Sequence, residues 1–174
     1  MVTVRIVPTD ETYVEALHHT LDAVARERRY LAFVEGPPLE GVRAFVRALI
    51  AGAGVQFLAI QDADTVIGWC DIFRNPREGF RHCGQLGMGL LPHARGRGLG
   101  ARLATAAIGR AWADGLERIE LEVFASNERA VGLYRTLGFS VEGVKRRARM
   151  LDGRDDDIVL MALMRDRLVG YRLV

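Results

Sequence analysis

Arg95-Gly96-Arg97-Gly98-Leu99-Gly100 is the stretch of this chain whose residue types point most directly to chemistry. An apolar run over residues 86–91, closed by Pro92, precedes it. Leu99, Leu103, Ala106, Ala107 and Arg110 recur after it at helical spacing. A strand therefore feeds a glycine-rich turn that feeds a helix. The first turn of a helix carries N–H groups without intrahelical partners and the positive end of the dipole, so such a turn receives an anion. Glycine has no Cβ to hold a phosphate away, and Arg95 and Arg97 add positive charge. A pyrophosphate suits this arrangement, although a tight strand-to-helix turn without a ligand has the same outline. A Walker A loop needs Lys-Ser/Thr after its last glycine, where Ala101-Arg102 stand. A dinucleotide fingerprint spaces its glycines Gly-x-Gly-x-x-Gly, a spacing that Gly96, Gly98 and Gly100 miss.

A second group of candidates lies downstream. Residues 118–124, Arg-Ile-Glu-Leu-Glu-Val-Phe, alternate as a strand does. Ser126 or Asn127 then suits an N-cap, and a helical pattern through Val131, Leu133 and Tyr134 stops at Gly138, a suitable C-terminal cap. Glu120 and Glu122 share one face of the strand. Arg95, Gly98 and Gly100 stand where the GNAT superfamily of N-acyltransferases has its coenzyme A loop, Gln/Arg-x-x-Gly-x-Gly/Ala. The string Asn127, Ala130, Tyr134, Gly138-Phe139 resembles that family's other signature segment. The two occur in the family's order. The resemblance runs over about residues 2–165 and is most specific over about 85–140.

The resemblance implies an α/β (α+β) GNAT fold, a mixed and mostly antiparallel sheet of about seven strands with about four helices and with strands 4 and 5 splayed. It implies acetyl-CoA as cosubstrate and no metal. The pantetheine arm would pair with Met88, Gly89 and Leu90. The pyrophosphate would sit on the loop of Arg95, Gly96, Arg97, Gly98, Leu99, Gly100 and Ala101, and Asn127 would touch the pantetheine. Tyr134 becomes the general acid toward the leaving thiolate. Glu122, five residues before Asn127, becomes the general base, directly or through a water, with Asp71 in Gly68-Trp69-Cys70-Asp71-Ile72 as its rival and as an acceptor contact. Tyr30, Phe33 and Glu35, in the connection over residues 28–38, would line the acceptor site. The acceptor implied is a small amine or amino-acid-like molecule. A protein N-terminus, as in the ribosomal-protein branch, ranks second, and a non-catalytic acyl-CoA-binding domain third. A homodimer stays open.

The elements that must position these residues read as follows. Strands are expected over about 2–7, 55–61, 65–73, 82–91, 118–124, near 140–144 and near 157–163. Helices are expected over 11–29 and 39–51, after the glycine loop, and after Asn127. Asp62-Ala63-Asp64 would turn a hairpin. Gly87 and Gly89 are compatible with a bulge or a close backbone approach in their strand. Residues 145–149, with four basic side chains, read as a solvated surface, and Asp155-Asp156-Asp157 as a loop tip.

Bulk properties place the whole chain, residues 1–174, in one globular domain. A net charge of +2 is too small to argue for nucleic acid. No apolar run approaches the ~18 residues that span a bilayer, and the first residues lack the basic start and apolar block of a signal peptide. Cys70 and Cys83 make no disulfide framework, so a reducing cytoplasm is the default. His82 and Cys83, adjacent on a strand, point to opposite faces and cannot act as a pair. His18 and His19 show no zinc spacing.

Overall fold

The structure is a computed structural model that describes residues 3–62 and 64–165. Val2, where the first strand is expected to start, and Ala63 of the expected hairpin turn lie outside the described residues. Strand β1 (Val4–Pro8) leads through a single 3-10 turn into helix α1 (Val14–Arg26). Asp10 caps that turn by accepting from Thr12 N at 2.7 Å. Helix α2 (Leu39–Ala48) follows, then β2 (Gly54–Gln61), β3 (Thr65–Arg74), β4 (Cys83–Leu90), α3 (Leu99–Ala113), β5 (Arg118–Phe124), α4 (Glu128–Thr136), β6 (Ser140–Leu151) and β7 (Arg154–Met164).

The seven strands form one sheet in the order β1-β2-β3-β4-β5-β7-β6. Neighbours are antiparallel except β4 and β5, which run parallel. This is the expected mixed sheet with four helices. Alternation along each strand sends successive side chains to opposite faces, and each face builds its own core. Leu58, Ile60, Val66 and Trp69 meet Val14, Leu17 and Val24 of α1 and Val42 and Val46 of α2. Ile67, Cys70, Ile72, Ile119 and Leu121 meet Leu103 and Ala107 of α3 and Tyr134 of α4.

Strands β4 and β5 pair only over Cys83–Gln85 and Arg118–Glu120. Both strands then continue, to Leu90 and Phe124, with no pairing between them. The splay leaves one edge of β4 open to a strand-like partner.

Several boundaries differ from the sequence expectation. Helix α1 ends at Arg26, short of residue 29, because Arg28 takes φ +57°. Helix α2 ends at Ala48 and passes through a wide turn to Gly52 at φ +100°. Strand β4 contains no bulge; its register with β3 runs unbroken from Gly84 to Leu90. Gly89 instead makes room for a side chain from β3, since a Cβ there would overlap the Trp69 ring, whereas a Cβ at Gly87 would only touch Asp71 Oδ1 at 3.2 Å. Asp155–Asp157 is no loop tip but lies inside β7; the basic residues 145–149 lie inside β6, where 145–148 are exposed as a solvated surface. Those two segments face each other across the hairpin, where Arg147 N donates to Asp157 Oδ1 at 2.7 Å. Opposite charges on paired strands lengthen a ladder that hydrophobic alternation alone does not reveal.

Candidate active site

The gap between β4 and β5 opens into a cavity of about 460 Å³. Its walls come from six parts of the chain: Val24 of α1, Tyr30 to Ala32, Leu86 to Leu90 of β4, the glycine loop with α3, Glu122 to Phe124 with α4, and Ile158 of β7.

The loop has the geometry its glycines promise. Gly96 and Gly98 take φ +77° and +74°, the left-handed region that favours glycine. Gly98 is the N-cap of α3 and no side chain caps that helix. The amides of Gly96, Arg97 and Gly98 find no acceptor among the described residues. Behind them stand those of Leu99, Gly100 and Ala101 in the first turn, where a helix leaves its N–H groups unpaired. Together these form a nest of donors at the positive end of a fifteen-residue helix.

The expected cations divide. Arg95 lines the cavity, but its guanidinium is engaged elsewhere. It donates to Glu27 Oε2 at 2.8 Å and to Leu90 O at 2.9 Å, and it lies 4.6 Å over the Tyr30 ring. It braces the loop to the end of α1. Arg97 and Leu99 do not line the cavity; Arg97 is exposed and Leu99 is buried in the core. Arg129 of α4, which the sequence reading missed, does line it. A Cβ on Gly96 would be 2.5 Å from its Nη2. The signal was available, since Arg129 lies between Asn127 and Ala130 of the second signature segment.

Met88, Gly89 and Leu90 lie along the open edge of β4 and line the cavity. Asn127 caps α4, its Oδ1 accepting from Ala130 N at 3.2 Å, while its side chain also lines the cavity. Tyr134 is 6% exposed and packs edge-on against Phe139. Its hydroxyl makes no hydrogen bond among the described residues. Burial, with Cys70 and Asp71 nearby, holds this phenol above the ordinary tyrosine range, so it stays protonated.

The carboxylates are arranged less simply. Glu120 and Glu122 do share a face, but each has a cationic partner. Arg118 Nε donates to Glu120 at 2.6 Å, and Lys145 Nζ of β6 donates to Glu122 at 2.6 Å. Asp71 lies one strand behind the cavity, opposite Gly87 of β4 and Gln56 of β2. Burial pushes its carboxyl up to about 7, and a hydrogen bond from Gln56 opposes that rise. Tyr30 lines the cavity; Phe33, Glu35 and Asp71 do not. Among the described residues no cluster of His, Cys, Asp or Glu could hold a metal, and no helix is long and apolar enough to cross a membrane. Cys70 and Cys83 are buried and free.

The model of the acetyltransferase (GNAT) family matches residues 16–139, from α1 through both signature segments. This chain belongs to the GNAT family. As a GNAT protein it is an acyltransferase. It is similar to the L-methionine sulfoximine/L-methionine sulfone acetyltransferase of Pseudomonas aeruginosa, 35% identical over 118 residues, which span 67% of this chain and 69% of that one. A solved GNAT acetyltransferase of Streptococcus pneumoniae superposes with a TM-score of 0.86 at 26% identity, covering 93% of this chain and 99% of the other. A GNAT phosphinothricin acetyltransferase of Sinorhizobium meliloti, solved in complex with AcCoA, shares the fold at TM-score 0.83 and 21% identity, covering 94% of this chain and 88% of the other.

Proposed function

We propose that this chain moves an acetyl group from acetyl-CoA to the primary amine of a small, amino-acid-like acceptor by direct attack. The observation that carries this reading is one continuous cavity joining the free amides of the glycine loop to the β4–β5 gap, with Tyr134 in its wall. The loop amides and Arg129 suit a pyrophosphate. The open edge of β4 at Met88, Gly89 and Leu90 suits the amides of a pantetheine arm, which pairs as an added strand. A thioester held there faces the amine in line, and such positioning lowers the barrier greatly. The amine lone pair forms the C–N bond as the C–S bond breaks, the Tyr134 O–H gives its proton to the departing sulfur, and the extra proton on the new amide nitrogen returns to the Tyr134 oxygen. Deprotonation of the incoming ammonium falls to the carboxylates of the gap, Glu122 on its β5 side and Asp71 behind Gly87.

The amino-acid-like acceptor is supported by the relative named for methionine sulfoximine and sulfone. It is supported too by Arg149, which stands outside the lining and donates to Arg28 O, but whose guanidinium lies 4.4 Å over the ring of Phe124 in the cavity wall and adds positive charge behind it. Incubation with acetyl-CoA and a panel of amino acids, their decarboxylated amines and short peptides, read as thiol release, tests the reading. Turnover should favour the free amino acids over the matching amines. A preference for peptides would overturn the acceptor class, and no release with any amine would overturn the transferase reading.

A further inference from the structure

The side chains level with the β4–β5 gap form a row across the sheet. Thr9 N donates to Gln56 O, Gln56 pairs with Asp71, and Asp71 pairs with Gly87. The parallel register of Gln85 with Glu120, continued by two residues, brings Gly87 level with Glu122. One position in this row has no side chain. The space over Gly87 is bounded on one side by Asp71, whose Oδ1 would be 3.2 Å from a Cβ placed there, and it opens on the other side toward Glu122 in the cavity.

The two carboxylates that flank this space differ in kind. Glu122 already holds an ammonium, that of Lys145, and is exposed. Asp71 has no cationic partner among the described residues; Gln56 donates to it. Gln56 is 4% exposed and its Oε1 has no partner, nor does the buried Thr9 Oγ1 beside it. A primary amide with one unused acceptor serves either protonation state of a carboxyl. Its NH2 donates to the carboxylate, and turned over, its oxygen accepts from the carboxylic acid. An orphan acceptor at this depth is costly unless some state of the site uses it.

Resting on the transferase reading above, the geometry points to an ammonium seat over Gly87 in which Asp71, held by Gln56, takes the proton of the acceptor amine, while the Glu122–Lys145 pair forms the opposite wall. The step is a single proton transfer. An N–H bond of the ammonium breaks, its electron pair stays on nitrogen as the attacking lone pair, and the proton goes to an Asp71 oxygen and later to water. The groups facing Asp71 suit this role. Gln56 of β2 and Gly87 of β4 carry no charge, and α1 and α2 turn Leu17, Thr20, Val42 and Val46 to this face, none of them titratable; on the opposite face Cys70 and the Tyr134 phenol stay protonated.

The test compares wild type, Asp71→Asn, Glu122→Gln and Gly87→Ala in kcat/KM against pH, with the thermal shift by acetyl-CoA as a check on coenzyme binding. Asp71→Asn should lose about 10²-fold or more near neutral pH, recovering as pH rises toward the pKa of the amine. Glu122→Gln should raise KM and keep the shape of the profile. Gly87→Ala, whose methyl fills the seat, should raise KM for the amine with the coenzyme shift kept. A wild-type profile in Asp71→Asn, or a wild-type KM in Gly87→Ala, overturns the seat. The free proteins give a second readout. A carboxyl raised from 3.8 to about 7 keeps its proton in the fold where the unfolded chain has lost it, so wild-type stability falls between about pH 4 and 7. Asp71→Asn should therefore gain in melting temperature relative to wild type over that window, and parallel curves overturn the proposal whatever the activity. A wild type that acetylates no amine while those melting curves diverge overturns the transferase reading instead.

Discussion

Tyr134 and the two arginines near the loop show how much a residue's role depends on its neighbours. The Tyr134 phenol is buried, keeps its proton, and spends its hydroxyl on no protein partner among the described residues. A donor so placed serves the leaving sulfur. Tyr134→Phe should lower turnover about 10²-fold or more with the acetyl-CoA thermal shift unchanged. Turnover near wild type would make it a packing residue. Arg95 and Arg129 should separate by readout. Arg95→Ala removes the Glu27 pair, the Leu90 carbonyl bond and the Tyr30 contact, all partly shielded from water, and should lower stability by about 1–3 kcal/mol while most of the coenzyme shift remains. Arg129→Ala should leave the melting temperature of the free protein within about 0.5 kcal/mol equivalent and shrink the coenzyme shift. The reverse pattern, measured by thermal unfolding with and without acetyl-CoA, would return the phosphate contact to Arg95.

At the scale of elements, the site is the meeting of a helix start and a strand edge. Helix α3 begins at a left-handed glycine with no capping side chain, so its first amides remain available. Gly98 has open space around its missing Cβ, and the constraint there is φ and charge rather than volume. Asn and Asp both visit the left-handed region, at a strain of about 1 kcal/mol. Gly98→Asn should keep most of the acetyl-CoA shift, and Gly98→Asp should lose it, because only the second sets a carboxylate against the pyrophosphate. Equal shifts in the two variants would move the anion site elsewhere. The neighbouring strand edge exists because β4 and β5 part after three paired positions.

For the whole molecule, the cavity joins segments from Val24 to Ile158. A ligand that bridges them stabilises the entire fold by RT ln(1 + [L]/Kd). That is about 2.7 kcal/mol at a hundredfold excess over Kd, or about 5–10 °C in melting temperature for a chain of this size. Hydrogen exchange in the presence of acetyl-CoA should slow at residues 96–101 and also at 30–32 and 158. Protection confined to the loop would mean that the remaining walls do not close on the ligand.

Local chemistry made part of this protein legible in advance. The glycine loop between a strand and a helix, the N-cap at Asn127, the stop at Gly138 and the alternation of residues 118–124 are each set by neighbours within a few residues, and all four stand in the structure. What the sequence left undecided depends on partners far away in the chain. The extension of β6 and β7 brings together residues far from any hydrophobic alternation, among them the ion pair of Arg147 with Asp155 across the hairpin. The engagement of Arg95 rests on Glu27 and Tyr30, which precede it by more than sixty positions. Lys145 is the partner of Glu122. Asp71 looks like an ordinary strand carboxylate in sequence; its distinct character comes from burial, from Gln56 on one side and from the bare Gly87 on the other. A residue type specifies which bonds a side chain can make, and only the packed sheet decides which partners come within reach and how much water stays between them.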